Sequence, residues 1–178
     1  VTRVLRAVDV RIDGFRVEKA PEWRGQRVYV RHEVDGKGYE LRLSEESAGT
    51  QKLMGLAAYL MTALERGSTV VVDELDAKLH PKLLRYVILL FKDPAVNKNG
   101  AQLIFSSQDV STMRNDVFRR DEIWFAARCE GEASQLWSLA DIHEANGNLV
   151  SKNAAFDKQY LSGRYGADPY LTRIEEWD

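Results

Sequence analysis

The sequence predicts an α/β fold, in which a layer of parallel strands and helices is preceded by a small β-rich subdomain. Three observations predict it. Two short apolar runs, Thr69-Val70-Val71-Val72 and Ala101-Gln102-Leu103-Ile104-Phe105, are separated by a helical pattern. A long amphipathic segment leads into the first run. The opening 43 residues alternate apolar and polar side chains instead.

The elements follow in chain order. Phe15-Arg16-Val17-Glu18 alternates weakly, and Pro21 to Gly25 reads as a surface loop. Arg27-Val28-Tyr29-Val30-Arg31 alternates well and is answered by Tyr39-Glu40-Leu41-Arg42-Leu43. Asp35-Gly36 between them is a hairpin turn signal, because both residue types tolerate positive φ. From Ser44 the period changes. Leu53, Leu56, Ala57, Leu60, Met61 and Leu64 fall on one helical face, and Gly67 supplies the stop. Thr69 to Val72 reads as a strand buried on both faces. Pro81 suits the first turn of a second helix, whose inner face is Leu83, Leu84, Val87, Ile88 and Phe91. A strand–helix–strand order with a helical crossover means parallel pairing. Ile123-Trp124-Phe125-Ala126 and Gln135-Leu136-Trp137 read as two later strands. The expected division is a β-rich subdomain over 1–43 and a second lobe over 44–178.

Composition narrows the function classes. At 178 residues the chain fits one domain with a sizeable core. A net charge of −2 gives the whole chain no bias toward nucleic acid or an anionic membrane, although a local basic patch stays open. No apolar run approaches the ~18 residues of a membrane span. A single cysteine, Cys129, excludes an internal disulfide framework and suits a reducing cytoplasm. A chain that begins at Val1 rather than Met suggests an upstream part.

The residues that carry chemistry lie at strand and helix ends. Val70-Val71-Val72-Asp73-Glu74 is an apolar strand ending in two adjacent carboxylates, the Walker B arrangement. In open α/β sheets ligands bind at this carboxyl edge. There Asp73 can hold Mg²⁺ through water, and Glu74 can orient or polarise an attacking water. The plainer reading is a strand leaving into a solvated acidic turn. Upstream, Ser47-Ala48-Gly49-Thr50-Gln51 opens the amphipathic helix. Its free N–H groups and positive dipole end can receive an anion, with Ser47 adding a hydroxyl. The plainer reading is a serine helix cap. Downstream, Ser106-Ser107-Gln108-Asp109 ends the next strand in polar residues, where Gln108 can hydrogen-bond a phosphate oxygen but carries no charge. An ordinary polar turn is the alternative there.

Taken together in order and spacing, 47–51, 70–74 and 105–109 resemble the signature motif, Walker B strand and switch loop of ABC-type ATPases. Ser47, Gly49 and Gln51 match Ser-x-Gly-x-Gln, while Gln108 stands where the switch usually has histidine. Asp73-Glu74-Leu75-Asp76-Ala77-Lys78-Leu79-His80-Pro81 and Gly163-Arg164-Tyr165-Gly166-Ala167-Asp168-Pro169 are similar to AAA/ABC-type ATPases of bacterial phage-defence and abortive-infection systems. Those are relatives of DNA-repair and chromosome-maintenance ABC ATPases. The resemblance implies a partial P-loop NTPase layer, of which this chain is the C-terminal half. No Gly-x-x-x-x-Gly-Lys-Ser/Thr occurs in the sequence.

The resemblance further implies ATP and Mg²⁺ as cofactors and a head-to-tail dimer with itself or a homologous ATPase domain. Ser47, Gly49 and Gln51 would then bind ATP in trans, while Asp73 (metal), Glu74 and Gln108 (catalytic) act in cis. His80 falls at the position of the D-loop aspartate of transporters, a candidate interface residue or simply a structural histidine before Pro81. A controlled nuclease effector is an implied partner, nucleic acid a possible one, and no membrane is expected. Two other readings stand beside this one. A catalytically silent interaction module fits Gln108 and the missing phosphate loop. A Mg²⁺-dependent Toprim-like nuclease would use Asp73 and Asp76, although its usual Asp-x-Asp spacing is not met. The role of Gly163-Arg164-Tyr165-Gly166 stays open between a phosphate or partner contact by Arg164 and an exposed loop arginine.

Overall fold

A computed structural model describes residues 12–20, 25–128 and 133–167. Residues 21–24 of the expected loop, Cys129, and Asp168-Pro169 lie outside the described residues. The chain divides into two compact units, 1–108 and 109–178. The β-rich opening and the strand–helix–strand layer therefore share one unit, and the boundary expected at residue 43 falls inside it.

The first unit opens with three antiparallel strands, β1 (Ile12–Ala20), β2 (Gly25–Val34) and β3 (Lys37–Arg42), in that spatial order. The hairpin register pairs Val34 with Lys37 around Asp35-Gly36. Both turn residues have positive φ, 50° and 72°, as a two-residue hairpin requires. Strand β1 is longer than its weak alternation predicts and carries a bulge between Ile12 and Gly14. The pairs Phe15–Val30–Leu41 and Val17–Val28 share one apolar face. Ile12 and Val30 are fully buried there, against Leu43 and Met54.

Helix α1 (Ala48–Arg66) buries Leu53, Ala57, Leu60 and Leu64, the expected face, together with Thr50 and Ala63. It ends at Gly67 in the left-handed conformation, φ 67°. A Cβ on Gly67 would stand 2.2 Å from the Asn99 carbonyl oxygen, so no side chain fits. Asn99 reaches back across this contact and donates its amide to the Leu64 and Glu65 carbonyls, at 3.2 and 2.9 Å. It thereby satisfies carbonyls that a helix end leaves open.

Strands β4 (Thr69–Val72) and β5 (Gln102–Phe105) are adjacent and parallel, joined through α2 (Pro81–Lys92). Pro81 occupies the first turn of α2, and Leu83, Leu84, Val87 and Ile88 are buried. Among the described residues the sheet is covered on one face only. Val70, Val72, Leu103 and Phe105 point inward, whereas the cross-strand partners Val71 and Ile104 are exposed. The expectation of burial on both faces is corrected here. Both helices pack on one side, Met61 of the first and Leu90 and Phe91 of the second joining Val70 in one cluster.

The second unit is built on an antiparallel pair, β6 (Trp124–Arg128) and β7 (Ser134–Ser138), and a short helix α3 (Phe156–Leu161). Its core gathers Ile123, Phe125, Leu139, Val150, Phe156 and Tyr165. The Gly163-Arg164-Tyr165-Gly166 segment has a packing role. Gly163 and Gly166 adopt positive φ, and Tyr165 between them is buried with its ring 5.3 Å from that of Phe125. Its hydroxyl donates to Gln159 Oε1 at 2.6 Å, and its carbonyl accepts the Trp137 indole N–H at 3.2 Å. Arg164 is exposed. Among the described residues no helix is long and apolar enough to cross a membrane.

Candidate functional site

The carboxyl ends of β4 and β5 place the acidic pair. Because Val72 pairs with Phe105 in parallel register, the residues that follow, Asp73 and Ser106, leave the sheet side by side. The Glu74 N–H donates to Ser106 Oγ at 2.8 Å, and the Ser106 hydroxyl is hydrogen-bonded to Asp73 Oδ1. A hydroxyl has one proton. An N–H can only donate, so the Ser106 proton must point to the Asp73 carboxylate. The Leu75 N–H donates to the Ser106 carbonyl at 3.0 Å, and the Ser106 N–H to the Val72 carbonyl at 3.2 Å. The side chains of Asp73 and Glu74 stay exposed.

Glu74 turns the chain sharply, with φ 47°. That region is uncommon for a residue with a side chain and costs on the order of 1–3 kcal/mol. Both of its peptide groups are held. Ser106 takes the N–H, while the carbonyl accepts from Ala77 N at 3.1 Å and Lys52 Nζ at 2.5 Å. Fully buried Leu75 and largely buried Leu79 anchor the loop from below. Asp76 Oδ2 accepts the Gln108 N–H at 3.3 Å and so sets the start of the switch region. The other Asp76 oxygen is buried without a hydrogen-bond partner among the described residues. His80 caps α2, its Nδ1 accepting the Lys82 N–H at 3.2 Å. The neutral ring therefore carries its proton on Nε2, on an exposed residue.

The signature segment packs on this loop from the other side. Gly49 sits where a Cβ would approach the Lys78 carbonyl to 3.0 Å, and Lys78 itself has φ 64°. Ser47 is the N-cap of α1, its Oγ accepting the Thr50 N–H at 3.1 Å. The plainer sequence reading of Ser47 thus holds; its hydroxyl also lies 2.8 Å from Thr50 Oγ1, on an exposed residue at the helix start. Gln51 folds back, donating to the Glu46 carbonyl at 2.8 Å. Glu46 in turn lies 2.6 Å from His32 Nε2, which ties the approach to the helix to β2.

The structure therefore brings segments 47–52, 73–80 and 106–108 together within the first unit. Asp73, Glu74 and the Gln108 backbone meet at the sheet edge, and Gly49 meets their loop. The side chains of Ser47, Gln51 and His80 are engaged with their own helix caps or the turn before them. Three residues at the centre escaped sequence reasoning: Lys52, Ser106 and Asp76 as the switch contact. Parallel register would have found Ser106, because it faces residue 73. Nothing in the local pattern marks Lys52.

The donor set fits a magnesium ion of one kind only. Among the described residues no group of three or more histidine, cysteine or acidic side chains could hold a metal by itself. Mg²⁺ binds through one or two carboxylates and keeps its remaining oxygens from water and substrate phosphates. Asp73, exposed and with one oxygen bound by Ser106, suits that role.

The family described as "AAA domain, putative AbiEii toxin, Type IV TA system" matches residues 3–114, more than half of the chain. The match includes all three motif segments. A comparison with curated proteins gives no match.

Proposed function

Because the chain belongs to this AAA-domain family, we propose that it is an ATP-binding and ATP-hydrolysing element that works by nucleotide-dependent head-to-tail dimerisation. The observation that carries the reading is the meeting of a carboxylate-ended parallel strand, a switch turn and a signature-type helix start at one sheet edge. In this reading 44–178 is the C-terminal lobe of an ABC-type domain, and 1–43 is its β-rich subdomain. The phosphate-gripping loop comes from a polypeptide segment other than these 178 residues. The open Val71–Ile104 face supports that, since parallel sheets are ordinarily covered on both sides.

Each residue then has a task. Asp73 would hold a Mg²⁺ ion through water, and that ion would supply charge neutralisation on the transferring phosphoryl group. Glu74 accepts a proton from the attacking water. Gln108 donates its amide to a phosphate oxygen, a neutral hydrogen bond where relatives use histidine. Ser47, Gly49 and Gln51 present the α1 N-terminus to the phosphates of ATP bound by the partner domain. His80 offers its Nε2–H to the dimer interface. The family description supports a role in phage defence by abortive infection, with ATP occupancy controlling an effector such as a nuclease. A lone cysteine in the sequence suits a reducing cytoplasm in this reading.

Titration calorimetry with Mg-ATP tests the assignment. The chain alone should bind more weakly than ~100 µM, because much of the affinity of P-loop enzymes comes from phosphate-loop contacts. Adding the phosphate-loop segment should produce tight binding and phosphate release. Tight binding with no phosphate release would favour the silent module, for which Gln108 is the supporting residue.

A further inference from the structure

We propose that Lys52 is a positioning residue that couples the signature end of α1 to the backbone of Glu74; this rests on the ATPase reading above. The left-handed backbone of Glu74 persists only where its surroundings over-determine it. Of the groups that hold its peptide, Ser106 and Ala77 belong to the sheet edge and its own loop. Lys52 reaches in from helix α1, with its ammonium 2.5 Å from the Glu74 carbonyl oxygen.

The placement of Lys52 on the helix makes the contact directional. Gly49 and Lys52 are three residues apart and so share one helical face. That face lies on the loop after β4 at two points, Gly49 on the Lys78 carbonyl and Lys52 on the Glu74 carbonyl. Gly49 is also part of the segment assigned to phosphate from the partner domain. Fixing the first turn of α1 by such a phosphate fixes Lys52, and with it the peptide that aims the Glu74 carboxylate. Without the ammonium, that peptide keeps only the Ser106 and Ala77 hydrogen bonds against relaxation toward ordinary negative φ, which would swing the carboxylate away. Occupancy of the signature by one nucleotide is thereby transmitted to the base that acts on the other. Lys52 touches no reacting atom; it acts through Glu74.

The test uses Lys52→Met, which keeps the stem and removes the donor, and Lys52→Arg, which keeps a donor. With the phosphate-loop segment present, Lys52→Met should lower kcat roughly 10-fold, the scale of one charge-assisted hydrogen bond, and leave KM within about twofold. Lys52→Arg should restore most of the rate. In a Glu74→Gln background Lys52→Met should cause no further loss, whereas a merely structural role predicts the same added loss in both backgrounds. In the isotope-labelled full chain, the Glu74 amide and carbonyl resonances should move in Lys52→Met and return in Lys52→Arg, while those of Tyr165 stay in place. A normal kcat in Lys52→Met, or an undiminished loss on top of Glu74→Gln, overturns the proposal alone. A wild-type protein that releases no phosphate from ATP, with its phosphate-loop segment present, overturns the ATPase reading and this coupling with it.

Discussion

Val71 and Ile104 stand opposite each other on parallel strands, and both are open to solvent, at 71% and 56% exposure. Two apolar β-branched side chains so placed mark a face built to be covered. Replacing both with threonine keeps β propensity and removes the apolar surface. The isolated chain should keep its stability to within ~0.5 kcal/mol, as surface changes usually do. Its affinity for the phosphate-loop segment should fall sharply. Urea unfolding and a pull-down with that segment read the two effects, and unchanged association would show that this face is not the joining surface.

Glu74→Gln separates binding from chemistry. Glutamine preserves size and most hydrogen bonds but accepts no proton, so Mg-ATP affinity should persist while turnover falls roughly 10²–10⁴-fold. An ATP-dependent dimer should then accumulate, visible by light scattering. Normal phosphate release by this variant would remove Glu74 from its assigned role.

Ser47 has two tasks in one hydroxyl, and a single substitution can divide them. Ser47→Asp retains a capping side chain for the Thr50 N–H but sets a negative charge against incoming phosphate. Helix stability should therefore be kept while the ATP-dependent dimer is lost. Ser47→Ala should do the reverse, lowering stability by about 1 kcal/mol and weakening the dimer only modestly. Thermal unfolding and light scattering on both variants check the pairing, and an ATP-dependent dimer in Ser47→Asp would exclude a trans phosphate at this helix end.

Alkaline stability of the second unit should depend on Tyr165. Burial pushes its phenol up to about 12, from an ordinary value near ~10. Below about pH 10 both folded and unfolded forms hold the proton, and the contribution of this group is fully present. As pH rises from about 10 to about 12 the unfolded chain releases a proton that the folded unit keeps, so stability falls across that window. Tyr165→Phe should flatten this fall while lowering stability near neutrality by about 1 kcal/mol for the lost hydrogen bond to Gln159. Urea unfolding followed by circular dichroism across this range measures both.

Much of the scaffold is legible from local pattern. Asp35-Gly36 announces its hairpin because only a few residue types accept positive φ twice in succession. The pairing of β4 with β5 follows from an apolar run, a helix and a second apolar run, and their carboxylate and polar ends mark the sheet edge. The centre of the site is less legible, because it depends on what register and packing bring together. Ser106 looks like an ordinary turn serine until the parallel register sets it beside Asp73. Lys52 reads as one more polar residue on a helix surface. The segment around Tyr165 invites a ligand-binding reading, yet its glycines serve to turn a tyrosine into an aromatic core. One-sided burial of β4 is invisible to hydropathy, since Val71 is as apolar as Val70 and Val72 and differs only in what lies over it.

The close approach of Gly67 and Asn99 also gives this fold a chemical clock. Asn99 is followed by Gly100, a pairing in which the unhindered glycine nitrogen can attack the asparagine amide and release ammonia, forming a cyclic imide that water opens to aspartate or its β-linked isomer. The lost group is the NH₂ that now donates to the Leu64 and Glu65 carbonyls. A carboxylate in its place would face those two oxygens with no proton to offer. Ageing of the protein would therefore register first as fraying at the far end of the helix whose other end carries the signature segment.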